Sequence, residues 1–463
     1  MTTAIRVKDN TEISRIEFDS IPNLTKRIVD KTIAQLEKDG VFVFPEHIRE
    51  SSDIAEEQMI LQSTNESYRT GNIMGFVGMG GERLAIQSRF SYGEQDYFLQ
   101  YMLERVLDFP NVLELGTDVN HDNRLYSLLL FVFPYYLKTA LRKGTFKTYA
   151  RHNYNDSNFK GAVDIAAHIK RNVPFTGSIA YTQREFSYDN SVMELIRHSI
   201  EFIKTKPYGN QLLWKVRDEV ASVMKVTSEY DFHSRKKVVE ANKKNPIRHA
   251  YYHEYRALQA LCIMILQHEK HQIGSGIKLI HGILFDGAWL WEQYISTQIA
   301  DVFYHPMNKG GVGAQQLFTN ARGHKEGRIY PDFISIHNDE RVIADAKYKP
   351  IENIRSKDYW QVLAYMFRFD AKQGYYLYPE SGVESNQVLY LNQGSTYEDN
   401  VEKRNDILIM KCGLVIPSGA ENYGAFSKAM MESETRFKSQ FLVKKHSDSG
   451  EYKNHYEADT QKS

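Results

Sequence analysis

Residues 328–350, RIYPDFISIHNDERVIADAKYKP, place two aspartates and a lysine in a pattern that is typical of a β-hairpin. IYPDFISI and RVIADAKYK alternate as strands do, and the HNDE between them is rich in turn-forming residues. If the central Asn-Asp of HNDE forms a two-residue turn, counting outward places Asp332 directly opposite Asp345. Lys347 lies two residues beyond Asp345 and therefore projects from the same face.

The spacing of the two carboxylates decides what chemistry this hairpin can support. Directly opposed residues have Cβ atoms about 4.5–5.5 Å apart, and carboxylates that close together repel each other and are costly to desolvate. Either they lie on a surface hairpin with scattered, solvated charge, or a cation binds between them. Mg²⁺ prefers oxygen ligands and usually takes one or two protein carboxylates. Asp332 and Asp345 therefore predict a magnesium site.

Lys347 would complete a site for phosphodiester hydrolysis. A metal ion between Asp332 and Asp345 would polarise a water molecule into a nucleophile. The Lys347 ammonium would orient that nucleophile and offset the charge that grows on a pentacovalent phosphate. These three side chains are the candidate catalytic residues.

A helix pattern precedes the hairpin, in LFDGAWLWEQYISTQIADVF. Ala288, Glu292, Ile295 and Ile299 fall at helical spacing on one face, so Glu292 lies beside an inward apolar stripe. A carboxylate in that position would be stabilised by joining the metal site. The alternative is a glutamate that reaches solvent from the edge of the stripe.

A second helix pattern, SKDYWQVLAYMFRF, follows the hairpin and leads into the strand pattern GYYLYP. This order predicts a β-α-β crossover, which would put Asp345 on a central strand of a mixed sheet. Gln361 and Tyr365 lie one turn apart on the helix, where they would face the site or a DNA backbone. Ordinary packing or surface positions are the alternative for both.

Charge limits the classes of function. The chain has 463 residues and no net charge, with 58 Lys and Arg against 58 Asp and Glu. A protein that holds DNA unaided usually has a strong basic excess, because phosphate contacts supply most of the affinity. A nuclease built from this chain therefore needs another subunit to hold its substrate. The basic run 235–244 predicts a solvated linker, with contact to DNA phosphates as the alternative.

Other motifs are missing from the sequence. No GxxxxGK[ST] pattern occurs, so the chain has no Walker A loop. The two cysteines, Cys262 and Cys412, are too few and too far apart to predict disulfides or a structural zinc site, which favours the cytoplasm. The N-terminus lacks the apolar core of a signal peptide. The most apolar run, residues 125–137, is too short to span a membrane and predicts a buried helix.

Further elements follow from local patterns. Gly80-Gly81 between two alternating runs predicts a hairpin with a two-residue turn. The polar end of the chain, residues 446–463, predicts disorder. Three helical segments are predicted near residues 191–204, 208–225 and 247–271.

With these residues in place, the α-β-β-α-β order resembles the PD-(D/E)XK nuclease superfamily. LFDGAWLWEQYI, YPDF, ADAKYK and DYWQVLAY, in this order, resemble McrC, the nuclease subunit of the two-component McrBC-type restriction systems, and the LlaJI-type systems are equally similar. Upstream, FKGAVDIAAHIKRN and REFSYDN resemble the N-terminal region of the same family. The resemblance covers roughly residues 70–380.

The resemblance implies a catalytic core of Asp332, Asp345 and Lys347. Glu292 matches the glutamate of the leading helix, and Gln361 matches the glutamine of the following helix. The implied metal is Mg²⁺, with Asp332, Asp345 and Glu292 as its ligands.

The implied fold is mixed α/β: a PD-(D/E)XK nuclease core whose mixed central sheet is flanked by helices, preceded by an α+β region that binds a partner. The expected domains are an N-terminal motor-binding region over 1–245, an endonuclease domain over 246–445, and a disordered tail over 446–463.

The resemblance also implies a partner, an McrB-like AAA+ GTPase hexamer that reads and translocates double-stranded DNA, methylated or not. McrC-like subunits insert a stalk into this ring and stimulate it, so GTP enters only through the partner. The expected function is a Mg²⁺-dependent DNA endonuclease subunit of a type II/IV-like restriction system. One alternative is a structural activator of the motor that has a nuclease-like fold without its chemistry. Another is a stand-alone repair or RNA-cleaving nuclease, which the neutral charge disfavours.

Overall fold

The computed structural model describes most of the chain. The described residues are 3–39, 41–44, 58–93, 96–107, 121–271, 280–306, 313–336, 341–382, 386–394 and 401–442.

The strands in these residues run from near the N-terminus to residue 416. They are β1 (Thr3–Lys8), β2 (Glu12–Ser14), β3 (Val41–Phe44), β4 (Leu61–Ser63), β5 (Ser67–Thr70), β6 (Ile73–Met79), β7 (Glu82–Gln87), β8 (Thr148–Asp156), β9 (Ala162–Val163), β10 (Ile179–Ser187), β11 (Ile280–Asp286), β12 (Phe303–Tyr304), β13 (Gln315–Thr319), β14 (Lys325–Ile329), β15 (Phe333–Ser335), β16 (Val342–Ala346), β17 (Gln373–Ser381), β18 (Gln387–Gln393) and β19 (Glu402–Ile416).

The α-helices alternate with these strands and are joined in places by short 3-10 turns. They are α1 (Pro22–Ile28), α2 (Ile33–Asp39), α3 (Tyr97–Val106), α4 (His121–Leu141), α5 (Ile165–Asn172), α6 (Ser191–Lys204), α7 (Gly209–Trp214), α8 (Arg217–Val226), α9 (Arg235–Lys244), α10 (Glu254–His271), α11 (Gly287–Ile299), α12 (Ser356–Phe369) and α13 (Tyr423–Leu442).

The chain divides into two compact units. The first contains Met1–Arg89 and Leu103–Gly287, and the second contains Phe90–Met102 and Ala288–Ser463. This division differs from the predicted boundary between residues 245 and 246. The stretch after residue 245 belongs to the first unit because α10 packs on α4 and α6, and β11 pairs with β3 and β6.

A five-stranded sheet, in the order β1-β7-β6-β11-β3, forms part of the first unit. Every residue of β6 is buried, as expected for a strand with a neighbour on each side. Met79 of β6 pairs with Glu82 of β7, so Gly80 and Gly81 make the two-residue turn that the sequence predicts. Gly80 has φ +61°, in the left-handed region that favours glycine.

Helices and two small sheets complete the first unit. The sheets have the orders β2-β5-β4 and β8-β10-β9. The helix predicted near 191–204 is confirmed as α6, whereas the one near 208–225 is two helices, α7 and α8. The third predicted helix begins at Glu254, as α10.

The prediction that the basic run 235–244 is a solvated linker is wrong, because these residues form helix α9. Val238, Val239 and Asn242 are buried, and they fall on the side of the helix opposite its lysines. Asn242 fixes this orientation: its amide donates to the carbonyl oxygen of Ser191 at 2.7 Å and accepts from Gln259 at 2.8 Å. Packing of that narrow apolar face outweighs the charge density that suggested a linker.

The apolar run 125–137 lies within helix α4, which has Pro134 in its interior. Leu129, Leu130 and Phe133 are buried, in agreement with the predicted buried helix. Among the helices of the described segments, none has the length and apolar character to cross a membrane.

The second unit is built on a six-stranded sheet in the order β12-β15-β16-β17-β19-β18. β15 and β16 are antiparallel, β16 and β17 are parallel, and α12 connects the latter two. The predicted β-α-β crossover and the mixed α/β fold are therefore confirmed, and Asp345 lies on an inner strand. The apolar face of α12, with Val362, Tyr365 and Met366, packs on the core of this sheet. The tail 446–463 lies outside the described residues.

Candidate active site

Strands β15 and β16 pair in the register that the sequence predicts. Phe333 lies opposite Ala344, and Ile334 lies opposite Ile343. The same register places Asp332, one residue before β15, opposite Asp345. The backbone N–H of Ala346 donates to Oδ2 of Asp332 at 2.9 Å, which holds that carboxylate against β16. The turn residues 337–340 lie outside the described residues.

The carboxylates of Asp332 and Asp345 are withdrawn from solvent and lie near other negative charges. Asp345 is only 1% exposed, and Asp332 is half-buried. Burial, followed by the negative charges of Glu292 and Asp345, raises the pKa of Asp332 well above its ordinary value. The carboxylates are therefore close enough to repel one another, as the sequence analysis expects.

Lys347 follows β16 and lies between three polar side chains. Its Nζ is 2.6 Å from Oδ2 of Asp345, 3.0 Å from Oε1 of Gln361 and 3.8 Å from Oδ1 of Asp358. Burial lowers the pKa of Lys347, but the attraction of Asp345 and then of Asp332 outweighs burial, so the pKa is raised overall. Lys347 is therefore a firmly protonated donor and is unsuited to act as a general base.

Helix α12 brings Gln361 to the site. Its side-chain carbonyl accepts from Lys347, and its amide donates to the hydroxyl of Tyr365 at 2.7 Å. Burial, and next the charge of Asp345, raises the pKa of Tyr365, which therefore stays protonated. Gln361 and Tyr365 thus lie on the side of α12 that faces β16. Their roles in chemistry remain predictions.

Helix α11 brings Glu292 to the edge of the same site. The side chain of Glu292 is 26% exposed, whereas the adjacent Trp291 is fully buried. The indole N–H of Trp291 donates to the backbone carbonyl of Leu377 on β17 at 3.0 Å, which fixes α11 against the sheet. Ile295 and Ile299 are buried, as the predicted inward stripe requires.

The donor set of the site fits Mg²⁺. Asp332 and Asp345 offer carboxylate oxygens from directly opposed positions, with Glu292 near enough to perturb Asp332 electrostatically. A divalent cation relieves this repulsion and needs only one or two protein carboxylates. Within the described ranges, no three His, Cys, Asp or Glu side chains lie together at metal-binding geometry. Ligation by Glu292 as a third carboxylate therefore remains a prediction.

His305 is a site residue that the sequence analysis missed. Its Nδ1 lies 2.8 Å from the backbone carbonyl oxygen of Asp332, and its Nε2 lies 3.0 Å from Nε2 of Gln293. Burial lowers the pKa of His305, so the ring is neutral near pH 7. Nδ1 then donates to Asp332, Nε2 accepts from Gln293, and the 3.5 Å separation from Glu292 is not an ion pair. A lone histidine far from Asp332 in sequence gives no local signal of this contact.

Comparisons with known proteins identify the family. A family model described as "McrBC 5-methylcytosine restriction system component" matches residues 68–379. No curated protein matches the chain. One solved structure with a similar chain is the refined half-complex from a tetradecameric assembly of Thermococcus gammatolerans McrB AAA+ hexamers with bound McrC. That chain is 14% identical, with 93% of this chain and 100% of that chain covered and a TM-score of 0.42.

A second similar structure is the cryo-EM structure of the Thermococcus gammatolerans McrBC complex. Its matching chain is 14% identical, with 64% of this chain and 87% of that chain covered and a TM-score of 0.30. The assignment rests on the family model, which matches more than half of the sequence and spans the residues of the candidate site. The chain belongs to the family of McrBC 5-methylcytosine restriction system components.

Proposed function

We propose that this chain is an McrC-like, Mg²⁺-dependent DNA endonuclease subunit of a two-component restriction system. The observation that carries the proposal is the pairing of β15 with β16, which sets Asp332 opposite Asp345, with Lys347 hydrogen-bonded beside them. Membership of a restriction-system family supports DNA as the substrate.

Lys347 acts as the cation that meets the substrate phosphate. An ammonium has three N–H donors, and two of them are directed to Asp345 and Gln361. The third donates to a phosphate oxygen, where the positive charge stabilises the charge that develops during attack. Its raised pKa keeps Lys347 charged throughout the physiological range.

Asp332 and Asp345 are the residues that would hold Mg²⁺, which when bound supplies a polarised water and charge neutralisation. The chain holds Asp332 at two points: Ala346 donates to its carboxylate, and His305 donates to its backbone carbonyl. Glu292 adds negative charge at the edge of the site, either as a further ligand or as an acceptor for water. Burial of Asp345 limits competing water around the reacting groups.

The proposed partner is an AAA+ GTPase motor of the McrB type. Zero net charge and the missing Walker A motif both favour a subunit that depends on another protein for DNA holding and nucleotide hydrolysis. A surface for such a partner is offered by the module formed by β8, β9, β10 and α5. Large apolar side chains stand exposed on it: Tyr149, Phe159, Ile165, Ile169, Val173, Phe175 and Phe186. Clustered apolar exposure of this kind is typical of protein interfaces.

The test is plasmid cleavage by the chain reconstituted with the motor encoded beside it, GTP and Mg²⁺, on methylated and unmethylated DNA. Asp332→Asn and Lys347→Met should each lower the cleavage rate by about 10³-fold or more, while motor binding and GTP hydrolysis stay at wild-type levels. Asp370→Asn is the matched control, because Asp370 is exposed and its left-handed backbone tolerates asparagine. Cleavage at the normal rate by both site variants would overturn the catalytic assignment.

The second candidate function, a structural activator of the motor without nuclease chemistry, is favoured by the exposed apolar module alone. It predicts that the wild-type chain raises the GTP hydrolysis rate but leaves every DNA substrate uncut. Substitution of Ile169 and Phe175, which are 60% and 66% exposed, by serine should then abolish all measurable function. Under the endonuclease proposal, the serine substitutions impair motor binding, whereas Asp332→Asn impairs DNA cleavage.

A further inference from the structure

Strands β13 and β14 form a two-stranded ribbon inserted directly before the candidate catalytic strands. They are antiparallel, with Gln315 opposite Ile329 and Thr319 opposite Lys325, and their pairing is separate from the six-stranded sheet. The tip is closed by Asn320, whose Oδ1 accepts from the backbone N–H of Arg322 and of His324, each at 3.0 Å. The tip is therefore a defined turn.

Both strands of the ribbon are anchored to elements that carry candidate site residues. Arg368 on α12 donates through Nε to the carbonyl oxygen of Gln316 at 2.7 Å. Gln361 lies seven residues earlier on α12, two turns away on the same face. At the same end of the ribbon, where Arg328 pairs with Gln316, β14 continues into Asp332, and the four residue steps from Arg328 to Asp332 span at most about 14 Å. The ribbon is thus fixed beside the site.

The ribbon carries an excess of exposed positive charge. Arg322, Lys325 and Arg328 are all exposed, against a single acidic residue in β14, Glu326, which accepts from the Asn320 amide. Phe318 on β13 is 64% exposed and pairs across the ribbon with Glu326. This local excess stands out in a chain with no net charge. Exposed cations and an exposed aromatic ring on one ribbon are suited to a nucleic-acid backbone and its bases.

The dimensions also suit duplex DNA. Paired strands are about 4.8 Å apart, and the major groove, about 12 Å wide, admits a two-stranded ribbon. Successive phosphates on one strand rise about 3.4 Å along the duplex axis. A reach of at most about 14 Å from Asp332 therefore places Arg328 within about four nucleotides of a phosphate bound at the site.

We propose that the β13–β14 ribbon positions duplex DNA for cleavage, with Arg328 contacting a phosphate within about four nucleotides of the scissile bond and Lys325 and Arg322 contacting phosphates farther from it. The inference rests on the proposed function in taking DNA as the substrate. DNA is favoured over an acidic protein as the occupant because both strands of the ribbon are anchored, at its base, to elements of the candidate site.

The first test compares cleavage kinetics in the assembled complex with the motor. The variant Arg322→Ala/Lys325→Ala/Arg328→Ala should raise the apparent KM for DNA about 10-fold or more with little change in kcat. The slope of log apparent DNA affinity against log salt concentration should also become shallower by about 0.9 for each lost phosphate contact. Lys26→Ala/Arg27→Ala/Lys215→Ala, three exposed cations of the first unit, is the matched control and should leave KM unchanged. Wild-type KM and salt dependence in the ribbon variant would overturn the proposal.

The second test does not depend on cleavage. Phe318 is replaced by the photocrosslinker p-benzoylphenylalanine in the same complex, and a radiolabelled duplex is added without metal. The proposal expects a covalent adduct with DNA, and it expects none with the crosslinker at Ile16, which is 77% exposed in the first unit. Adducts with the motor protein alone would overturn it. If the wild-type complex never cuts DNA, the proposed function fails, and this adduct still decides the role of the ribbon.

Discussion

The ammonium nitrogen of Lys347 lies 3.0 Å from the side-chain oxygen of Gln361, so a cation after strand β16 is tied to helix α12. The same nitrogen is 2.6 Å from Asp345, and Gln361 is in turn hydrogen-bonded to Tyr365. This chain of contacts limits where Lys347 can place its remaining donor. The position of the cation therefore depends on the neutral amide of Gln361.

Replacing Gln361 by leucine should lower kcat for DNA cleavage by about 10²-fold, because a displacement of about 1 Å in a positioned group has an effect of that size. Apparent KM and the GTP hydrolysis rate of the motor should change little. Gln361→Glu retains an acceptor for Lys347 and should recover most of the rate. Single-turnover cleavage measures both variants, and an unchanged kcat in Gln361→Leu would show that Lys347 needs no such support.

Replacing Lys347 by methionine should also destabilise the second unit. Asp345 is 1% exposed, and removal of the adjacent cation weakens the compensation of a buried carboxylate, at a cost of about 3 kcal/mol. Adding Asp345→Asn to the Lys347→Met variant removes the buried negative charge and should restore about 2 kcal/mol of that loss. Urea unfolding of both single variants and of the double variant measures this coupling. Additive effects would mean that the pair contributes nothing to stability.

The sequence could specify the arrangement of Asp332 and Asp345 because strand register is local information. A two-residue turn in HNDE fixes the pairing of the residues on either side of it, and the observed pairs Phe333–Ala344 and Ile334–Ile343 have that register. The crossover through α12 follows from similarly local periodicity. Ligation of a metal and the catalytic roles are not local properties, and they remain predictions.

Features that depend on tertiary packing escaped the sequence analysis. His305 reaches the backbone of Asp332 only because β12 pairs with β15, a contact between distant segments. Helix α9 was missed because only Val238, Val239 and Asn242 mark its buried face among many charges. In both cases the decisive partner lies on another element.

Protonation of His198 should lower the stability of the first unit as the pH falls from about 6.5 to about 4. This side chain is fully buried on α6, and burial, with the nearby Arg235 as the next cause, lowers its pKa to about 4. The folded state therefore favours neutral histidine. The resulting stability is present above the unfolded pKa of about 6.5 and is lost as the pH falls through the folded pKa, for a total of about 3 kcal/mol.

His198→Gln removes this titration and should flatten that part of the pH dependence. The unfolding free energy, followed by hydrogen exchange of α6 amides between pH 7 and 4.5, measures the difference. The hydroxyl of Ser234, 3.3 Å from Nε2 of His198, remains a partner for the glutamine amide. Identical pH profiles for the two proteins would contradict a depressed pKa at His198.

Two tryptophans of the second unit provide a matched test of how α11 is held in place. Trp291 has no exposed surface and donates to the Leu377 carbonyl, whereas Trp360 on α12 is 71% exposed. Trp291→Phe should lower the free energy of unfolding by about 2–3 kcal/mol, because it leaves a buried carbonyl without its donor and opens a small cavity. Trp360→Phe should change it by less than about 0.5 kcal/mol. Because α11 also carries Glu292, Trp291→Phe should reduce DNA cleavage as well. Equal effects of the two substitutions on the free energy of unfolding would show that the indole hydrogen bond does not fix α11 to the sheet.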